Sequence, residues 1–263
     1  MTSFARYLQP PSISPRFVHV WRRNFLVWRK LAVPSVLGNL ADPMLYMLGF
    51  GYGLGTLLPN VSGLSYIAFI AAGTVCSSTM MSASFEAMYS GFSRMHVQRT
   101  WDAILNAPIT LDDVVFAEWM WAASKSFLSG MAVLAVAAAL GLVDARLALW
   151  LLPLTLLTGL TFAGLGLTMT ALSPSYDFFM YYFTLAVTPM MLLCGVFFPV
   201  EQLPHWLQAF SAWLPLTHAV ALARPLMHGT VPAAAALHVA ILAAYAVAAF
   251  FAALALIRRR LLQ

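Results

Sequence analysis

A row of polar side chains in an otherwise apolar segment is the first candidate for chemistry in this sequence. Thr74, Ser78, Ser82 and Glu86 recur at every fourth position, a spacing that places side chains on one face of a helix. On a membrane helix, such a row faces either a protein neighbour or a water-filled path. The sequence therefore predicts that these residues line a translocation path or its inner mouth.

Two further ionisable residues, Glu118 and Lys125, lie seven positions apart in a later apolar segment and would share a helix face. Ionisable groups inside a membrane are costly unless they are paired or in water. We therefore expect Glu86, Glu118 and Lys125 to form a charged cluster near the cytoplasmic mouth. The cluster either binds a polar substrate headgroup or is a structural ion pair, and we favour the ion pair.

The sequence lacks the motifs that would indicate a catalytic or metal centre. GxxxxGK[ST], HExxH, GxSxG and CxxC are all absent, and the six histidines have irregular spacing. Cys76 and Cys194 lie in apolar runs, which favours packed thiols over a disulfide. We expect a non-enzymatic chain without a metal or bound cofactor, so that any ATP would be bound by another chain.

Composition indicates the fold class. Of the 263 residues, 62% are hydrophobic and 9% are charged, against roughly 25% charged residues in soluble domains. Apolar runs near 20 residues accompany this deficit, and together they predict an all-α polytopic membrane protein. The net charge of +5 reflects orientation in the membrane and contacts with membrane lipids, and we expect no nucleic-acid partner.

The helices are predicted from apolar length. An interfacial amphipathic helix is expected over 16–31, where aromatic residues align on one face. Six membrane helices are expected in a single domain, 1–263, with short or re-entrant helices in an outer interval, 197–232. The membrane segments are 33–58, 66–90, 114–142, 147–172, 178–196 and 233–257. Asp42-Pro43 interrupts the first, so either the membrane helix begins before it, or the interfacial helix extends to about 41 and a short helix begins at Pro43.

The distribution of positive charge predicts the orientation. Eleven basic residues, Arg6, Arg16 and the three arginines 258–260 among them, fall on the side of the termini, and two, Arg146 and Arg224, fall on the other. Basic residues concentrate on the cytoplasmic side. Both termini and the loop 91–113 are therefore expected in the cytosol.

The loop 91–113 contains a short helix, predicted over Thr100 to Ala107. Thr100 is a suitable cap, Asp102 favours the helix N-terminus, and Pro108 prevents continuation. We interpret this helix as the contact for an external motor.

Three motifs carry a family resemblance. CGVFFPVEQLP (Cys194 to Pro204) and LPLTH (Leu214 to His218) resemble the signature of the ABC-2 type exporter permeases, and TWDAILNAPIT (Thr100 to Thr110) resembles their coupling region. Six further stretches resemble the nodulation branch of that family, which exports lipo-oligosaccharides. They are NLADPMLY, GYGLG, RTWDAILNAP, EWMWAASK, ALSPSYDFF and the terminal RRRLL.

The resemblance implies a homodimer that binds two ATP-binding subunits resembling nodulation protein I, which would hold ATP and Mg²⁺. It implies outward transport of a lipid-linked oligosaccharide across the bacterial inner membrane. The implied ATPase-coupling residues are Arg99, Thr100, Trp101, Asp102, Ala103, Ile104 and Leu105. The implied outer-gate motif comprises Gly195, Phe197, Phe198, Pro199, Leu203 and Pro204.

Other functions remain open. An ABC-2 exporter of another polysaccharide, lipid or drug would have the same architecture. An ion-coupled secondary transporter would need carboxylates at mid-depth in the membrane, and a lipid-modifying membrane enzyme would need an acid, a base and a nucleophile converging at one interface.

Overall fold

The computed structural model describes residues 9–58 and 60–261, so the predicted cytosolic Arg6 lies outside the described residues. A two-residue antiparallel hairpin, β1 (Asn60–Val61) and β2 (Leu64–Ser65), precedes the long central helix. The helices are α1 (Phe17–Arg29), α2 (Ala32–Gly53), α3 (Tyr66–Phe85), α4 (Thr100–Leu105), α5 (Leu111–Ala139), α6 (Ala145–Ala148), α7 (Leu151–Leu172), α8 (Asp177–Tyr182), α9 (Thr188–Leu193), α10 (His205–Ser211), α11 (Pro215–Met227) and α12 (Ala235–Leu261).

Four helical stretches are long and apolar enough to cross a membrane: Tyr66–Val97, Leu111–Ala139, Leu151–Leu172 and Ala235–Leu261. The pair α1 and α2 makes a fifth if the two helices, which meet at 81°, are counted as one span. The stretch Asp177–Leu193 is apolar but shorter. The chain is thus an all-α polytopic membrane protein, and the count of six crossings stays a prediction.

The helical stretch that begins with α3 continues past residue 90, the end predicted for this membrane segment. Two π-helical segments, Glu86–Ser90 and Ser93–Val97, extend the helical stretch to Val97. Phe92 and Met95 in this extension are buried, so apolar packing continues beyond the expected boundary at residue 90. The predicted loop 91–113 is therefore helical in its first third.

The Asp42-Pro43 pair does not interrupt α2, contrary to the sequence-based expectation. The helix continues through Pro43, because the missing backbone N–H costs one hydrogen bond, which membrane helices tolerate. The bend lies earlier, between Arg29 and Ala32. Helix α2 thus begins at Ala32, and the alternative with a short helix starting at Pro43 is wrong.

Helix α1 packs its aromatic face on α5. The Phe17 ring meets Phe116 edge-on at 4.8 Å, and Trp21 and Trp28 both contact Trp121. The amphipathic helix predicted over 16–31 is present, and its apolar face is covered by protein.

Helix α3 lies at the centre of the bundle and packs against α2, α5, α7 and α11. Small residues permit this close packing. A Cβ atom on Gly73 would lie 2.7 Å from the backbone of Val196, and one on Gly166 would lie 2.8 Å from Ala87. The polar face of α3 is therefore held against other helices of the same chain.

Candidate functional site

Four charged side chains form a network, which we call the inner network, at the end of the bundle predicted to face the cytosol. Arg94 Nη1 lies 3.0 Å from Glu86 Oε1, and Arg94 Nη2 lies 2.5 Å from Glu118 Oε2. Lys125 Nζ lies 2.7 Å from Glu86 Oε2. Two positive and two negative groups thus balance, and the three residues expected to cluster are brought together through Arg94.

Neutral donors complete the network. Trp121 Nε1 donates to Glu86 at 2.7 Å, while Asn24 Nδ2 and Trp101 Nε1 donate to Glu118 at 3.1 and 3.3 Å. Glu118 is 1% exposed, and a buried carboxylate needs both ion pairs and hydrogen bonds to offset its desolvation. The network therefore ties α1, the α3 extension, α4 and α5 together.

Sequence reasoning missed Arg94 because it placed that residue in a loop. Glu86 and Arg94 are eight residues apart, a spacing that an ideal 3.6-residue helix puts about 80° apart around its axis. The π-helical segment that begins at Glu86 inserts an extra residue per turn and changes the register. The long Arg94 side chain then reaches back towards Glu86, in the direction that helical side chains point.

A cavity of about 540 Å³ adjoins the network. Its wall combines charged and aromatic side chains, among them Arg23, Trp28, Tyr89, Trp121, Lys125 and Tyr176. Burial lowers the pKa of the Arg23 guanidinium, and the nearby positive charge of Arg94 lowers it further, while Glu118 raises it. The predicted inner mouth therefore coincides with a polar cavity that has aromatic faces.

The predicted coupling residues divide between surface and core. Arg99, Asp102 and Ala103 are exposed, Thr100, Ile104 and Leu105 are partly buried, and Trp101 is fully buried. Trp101 is thus inaccessible to a partner, and it instead joins α4 to Glu118.

The predicted Thr100 cap is wrong. Arg99 occupies the cap position with a φ of 50°, in the left-handed region, and no side chain caps the helix. The Thr100 hydroxyl instead donates to Gln98 Oε1 at 3.4 Å. The helix also ends at Leu105, two residues before the predicted Ala107.

The two chain ends meet at the start of α5. Thr110 and Asp113 form a capping box, and Asp113 also accepts from the Ser14 hydroxyl at 2.9 Å. Asp112 pairs with Arg258 at 2.5 Å and accepts from the Ser12 backbone at 2.8 Å. These contacts lie on the side predicted to be cytosolic, and we call them the cytosolic clasp. The sequence indicated the helix-start role of the carboxylates and not their pairing with the C-terminal helix.

The outer-gate motif is held by α3 and α11. Gly195 has a φ of +77°, a conformation that favours glycine, and its carbonyl accepts from Arg224. The same guanidinium lies 3.7 Å from the centre of the Phe69 ring, and Tyr66 donates to the Phe197 carbonyl at 3.1 Å.

The remaining residues of this motif shape the turn into α10. Phe198 is partly buried and Pro199 is buried, Leu203 accepts from Gln208 at 2.7 Å, and Pro204 precedes α10. The motif is thus a compact turn rather than an open loop.

The polar row on α3 faces protein. Thr74 donates to the carbonyl of Ile70 at 2.8 Å, and Ser78 shares a hydrogen bond with Ser129 at 3.0 Å. Ser82 is 5% exposed. Within residues 9–58 and 60–261, no group of three or more His, Cys, Asp or Glu side chains is placed to hold a metal ion.

Comparison with known proteins gives consistent matches. The profile of the family described as "ABC-2 type transporter" matches residues 15–228. "Nodulation protein J" of Bradyrhizobium diazoefficiens is 50% identical over 253 residues, 96% of this chain and 97% of that protein. "Nodulation protein J" of Rhizobium meliloti is 47% identical over 252 residues, 96% of each chain. "Inner membrane transport permease YadH" of Escherichia coli is 25% identical over 203 residues, 76% of this chain and 78% of that protein.

Proposed function

The chain belongs to the ABC-2 type transporter family, and from that premise we propose that it is the permease subunit of an ATP-driven exporter of a lipo-oligosaccharide. The cargo is inferred from the similarity to nodulation proteins over 96% of the chain. The proposed location is the bacterial inner membrane, with both termini in the cytosol.

The observation that carries this proposal is the link between α4 and the buried ion network. Asp102 and Ala103 present an exposed surface, while Trp101 on the same helix is buried and donates to Glu118. A partner that pushes on the exposed face would therefore move Trp101 and, through its hydrogen bond, Glu118. Because Arg94 is bound to Glu118, the inner end of the α3 stretch would move as well. A buried, hydrogen-bonded side chain suits this role because a satisfied buried polar network is rigid.

The proposed assembly is a homodimer of this chain with two ATP-binding subunits resembling nodulation protein I. Those subunits would bind ATP and Mg²⁺, and this chain would bind neither. The proposed contact residues are the exposed members of Arg99 to Leu105, and the proposed inner mouth contains Glu86, Glu118 and Lys125. Thr74, Ser78 and Ser82 continue the proposed path towards the outer-gate motif.

One observation favours an ion-coupled transporter as the second candidate. Asp42 is an exposed carboxylate in the middle of α2, and a carboxylate at mid-depth is what such a transporter requires. The two candidates differ in their energy source, so they are separable by experiment.

The test is transport by the purified chain and its operon-encoded ATPase in sealed vesicles. We expect the ATPase to co-purify, and an acylated chitooligosaccharide to move only when ATP is present on the ATPase side. Transport driven by a proton gradient without ATP would establish the second candidate, and failure of any ATPase to bind would refute the first.

A further inference from the structure

The carboxylate of Asp42 occupies an unusual position for a charged group. Helix α2 has 22 residues, which span about 33 Å at 1.5 Å per residue. Asp42 follows Ala32 by ten residues and so lies about 15 Å along this helix, near the bilayer midplane for a spanning helix. Its side chain is exposed, and none of the ion pairs or hydrogen bonds within 9–58 and 60–261 includes it. Because lipid would strongly disfavour such a group, it requires a polar environment.

A pocket of about 120 Å³ provides that environment between α2, α3 and α5. Its polar lining residues are Asn39, Asp42, Ser77, Ser78, Ser82 and Ser129. The volume equals that of about four liquid waters, enough for one edge of a sugar ring. We call this cavity the serine pocket.

The serine pocket contains a hydrogen-bonding group without a partner. Ser82 is 5% exposed and lines the pocket, and its Oγ makes no hydrogen bond within the described part of the chain. A buried hydroxyl left without a hydrogen bond is destabilising. Its neighbours are already engaged, since Ser78 bonds Ser129 and Ser77 bonds the carbonyl of Thr74. Ser82 is therefore available to a ligand.

The pocket chemistry selects a neutral, hydroxyl-rich ligand. One carboxylate, one amide and four hydroxyls converge, and all of these groups can accept a hydrogen bond from a sugar hydroxyl. A cation would use the oxygen acceptors and leave the serine O–H and asparagine N–H donors without an acceptor. On the outer side, Tyr46 lines the same pocket, and its ring centre lies 5.8 Å from that of Phe197 in the outer-gate motif. These two rings form an aromatic surface along which a sugar can move.

We propose that the serine pocket binds a sugar unit of the exported amphiphile at mid-membrane, with Asp42 and Ser82 hydrogen-bonded to its hydroxyl groups. This inference rests on the proposed export function for the identity of the cargo. It adds a binding site that neither the family match nor the inner ion network specifies.

Filling the pocket is the sharpest test. Gly38 lines it, and a Cβ atom there would meet nothing within 4 Å, so Gly38→Leu adds bulk without removing a hydrogen bond. Gly49 lies on the same helix with equally open space and does not line the pocket, which makes Gly49→Leu the matched control. The complex with its ATPase is placed in phospholipid nanodiscs, and binding of a fluorescent N-acylated chitotetraose is measured. We expect Gly38→Leu to weaken binding at least tenfold and Gly49→Leu to leave it unchanged.

Polar substitutions test the hydrogen bonds. Asp42→Asn should weaken probe binding by about fivefold, since a charge-assisted hydrogen bond becomes a neutral one. Ser82→Ala should weaken binding two- to threefold, whereas Ser126→Ala, a hydroxyl on α5 that bonds the carbonyl of Ala123, should have no effect. A long-chain quaternary ammonium probe serves as the cationic comparison.

The outcomes are distinguishable. Wild-type affinity in Gly38→Leu overturns the serine pocket even when ATP-driven transport is observed. Loss of ammonium binding in Asp42→Asn with unchanged sugar affinity also overturns it, in favour of a cation site. If the wild-type complex transports nothing with ATP, the export function fails, while the binding comparison of Gly38→Leu and Gly49→Leu still decides the pocket.

Discussion

At the scale of single residues, Glu118 is the junction of the inner network. It accepts hydrogen bonds from Arg94, Asn24 and Trp101, which come from three different segments of the chain. The seven-residue spacing in the sequence would pair Glu118 with Lys125, yet Lys125 binds Glu86 instead. The role of Glu118 therefore depends on three donors that sequence spacing does not bring near it.

Removing the charge of Glu118 should destabilise the fold. Glu118→Gln leaves Arg94 buried with one carboxylate fewer, and breaking a buried pair costs about 3–5 kcal/mol. Thermal unfolding of the purified chain measures this, with Glu201→Gln on the exposed outer turn as the control. Equal unfolding temperatures for the two variants would contradict a stabilising role for the network.

Removing one donor should separate coupling from stability. Trp101→Phe keeps a large aromatic ring and loses the hydrogen bond to Glu118, a cost of about 1.5–3 kcal/mol for one hydrogen bond to a charged group. We expect ATP hydrolysis to continue while transport per ATP falls. Trp150→Phe, at an exposed indole, is the control, and an unchanged transport ratio in Trp101→Phe would show that α4 does not act through Glu118.

At the scale of elements, one face of α4 packs against the rest of the chain and the other face is exposed to a partner. Trp101 is buried and Asp102 next to it is exposed, and none of the ion pairs within residues 9–58 and 60–261 includes Asp102. A substitution at Asp102 therefore changes only the exposed face of α4.

Reversing the Asp102 charge should weaken the contact with the ATPase. Asp102→Lys should lower the amount of co-purified ATPase severalfold, while the free energy of unfolding of the isolated permease changes by no more than about 0.5 kcal/mol, the range usual for surface substitutions. Asp177→Lys, at the start of α8 in the other predicted cytosolic connection, is the matched control. Full retention of the ATPase by Asp102→Lys would move the contact elsewhere.

How far the sequence predicts these elements depends on periodicity. Apolar length located α5, α7 and α12 to within a few residues, because each is a regular helix. It misplaced the end of the α3 stretch, where the π-helical segments change the register. It also overestimated the effect of Pro43, since a helix in a membrane retains its other hydrogen bonds.

The candidate sites show the same limit. Spacing grouped Thr74, Ser78, Ser82 and Glu86 on one face, and all four are buried in the structure. Asn39 and Asp42 lie on another helix, and Ser129 on a third, so only tertiary packing brings them to the serine pocket.

At the scale of the whole molecule, the cytosolic clasp joins segments from the beginning, middle and end of the chain. Ser12 and Arg258 both donate hydrogen bonds to the carboxylate of Asp112. Arg260 donates to the carbonyls at the end of α7, including that of Ser173 at 2.6 Å. The clasp thus closes the bundle on the side where α4 is exposed.

Breaking the clasp should loosen the N-terminal segment. Arg258→Met leaves Asp112 buried without its cation, with an expected cost of about 3 kcal/mol. Limited proteolysis of the purified chain should then cut before α1 several times faster than in wild type, whereas Arg259→Met, at an exposed neighbour, should not change the rate. Unaltered proteolysis in Arg258→Met would show that Ser12 and Ser14 hold this segment alone.

The clasp also sets an order for biogenesis. Asp112 and Arg258 are 146 positions apart, and at about 5–20 residues per second the ribosome needs roughly 7–30 s to make the second after the first. The residues of the inner network are all synthesised by Lys125, so that network can assemble while the later helices are still being translated. We therefore expect a nascent chain whose ion network is formed early, and whose cytosolic end stays open until the last helix leaves the ribosome.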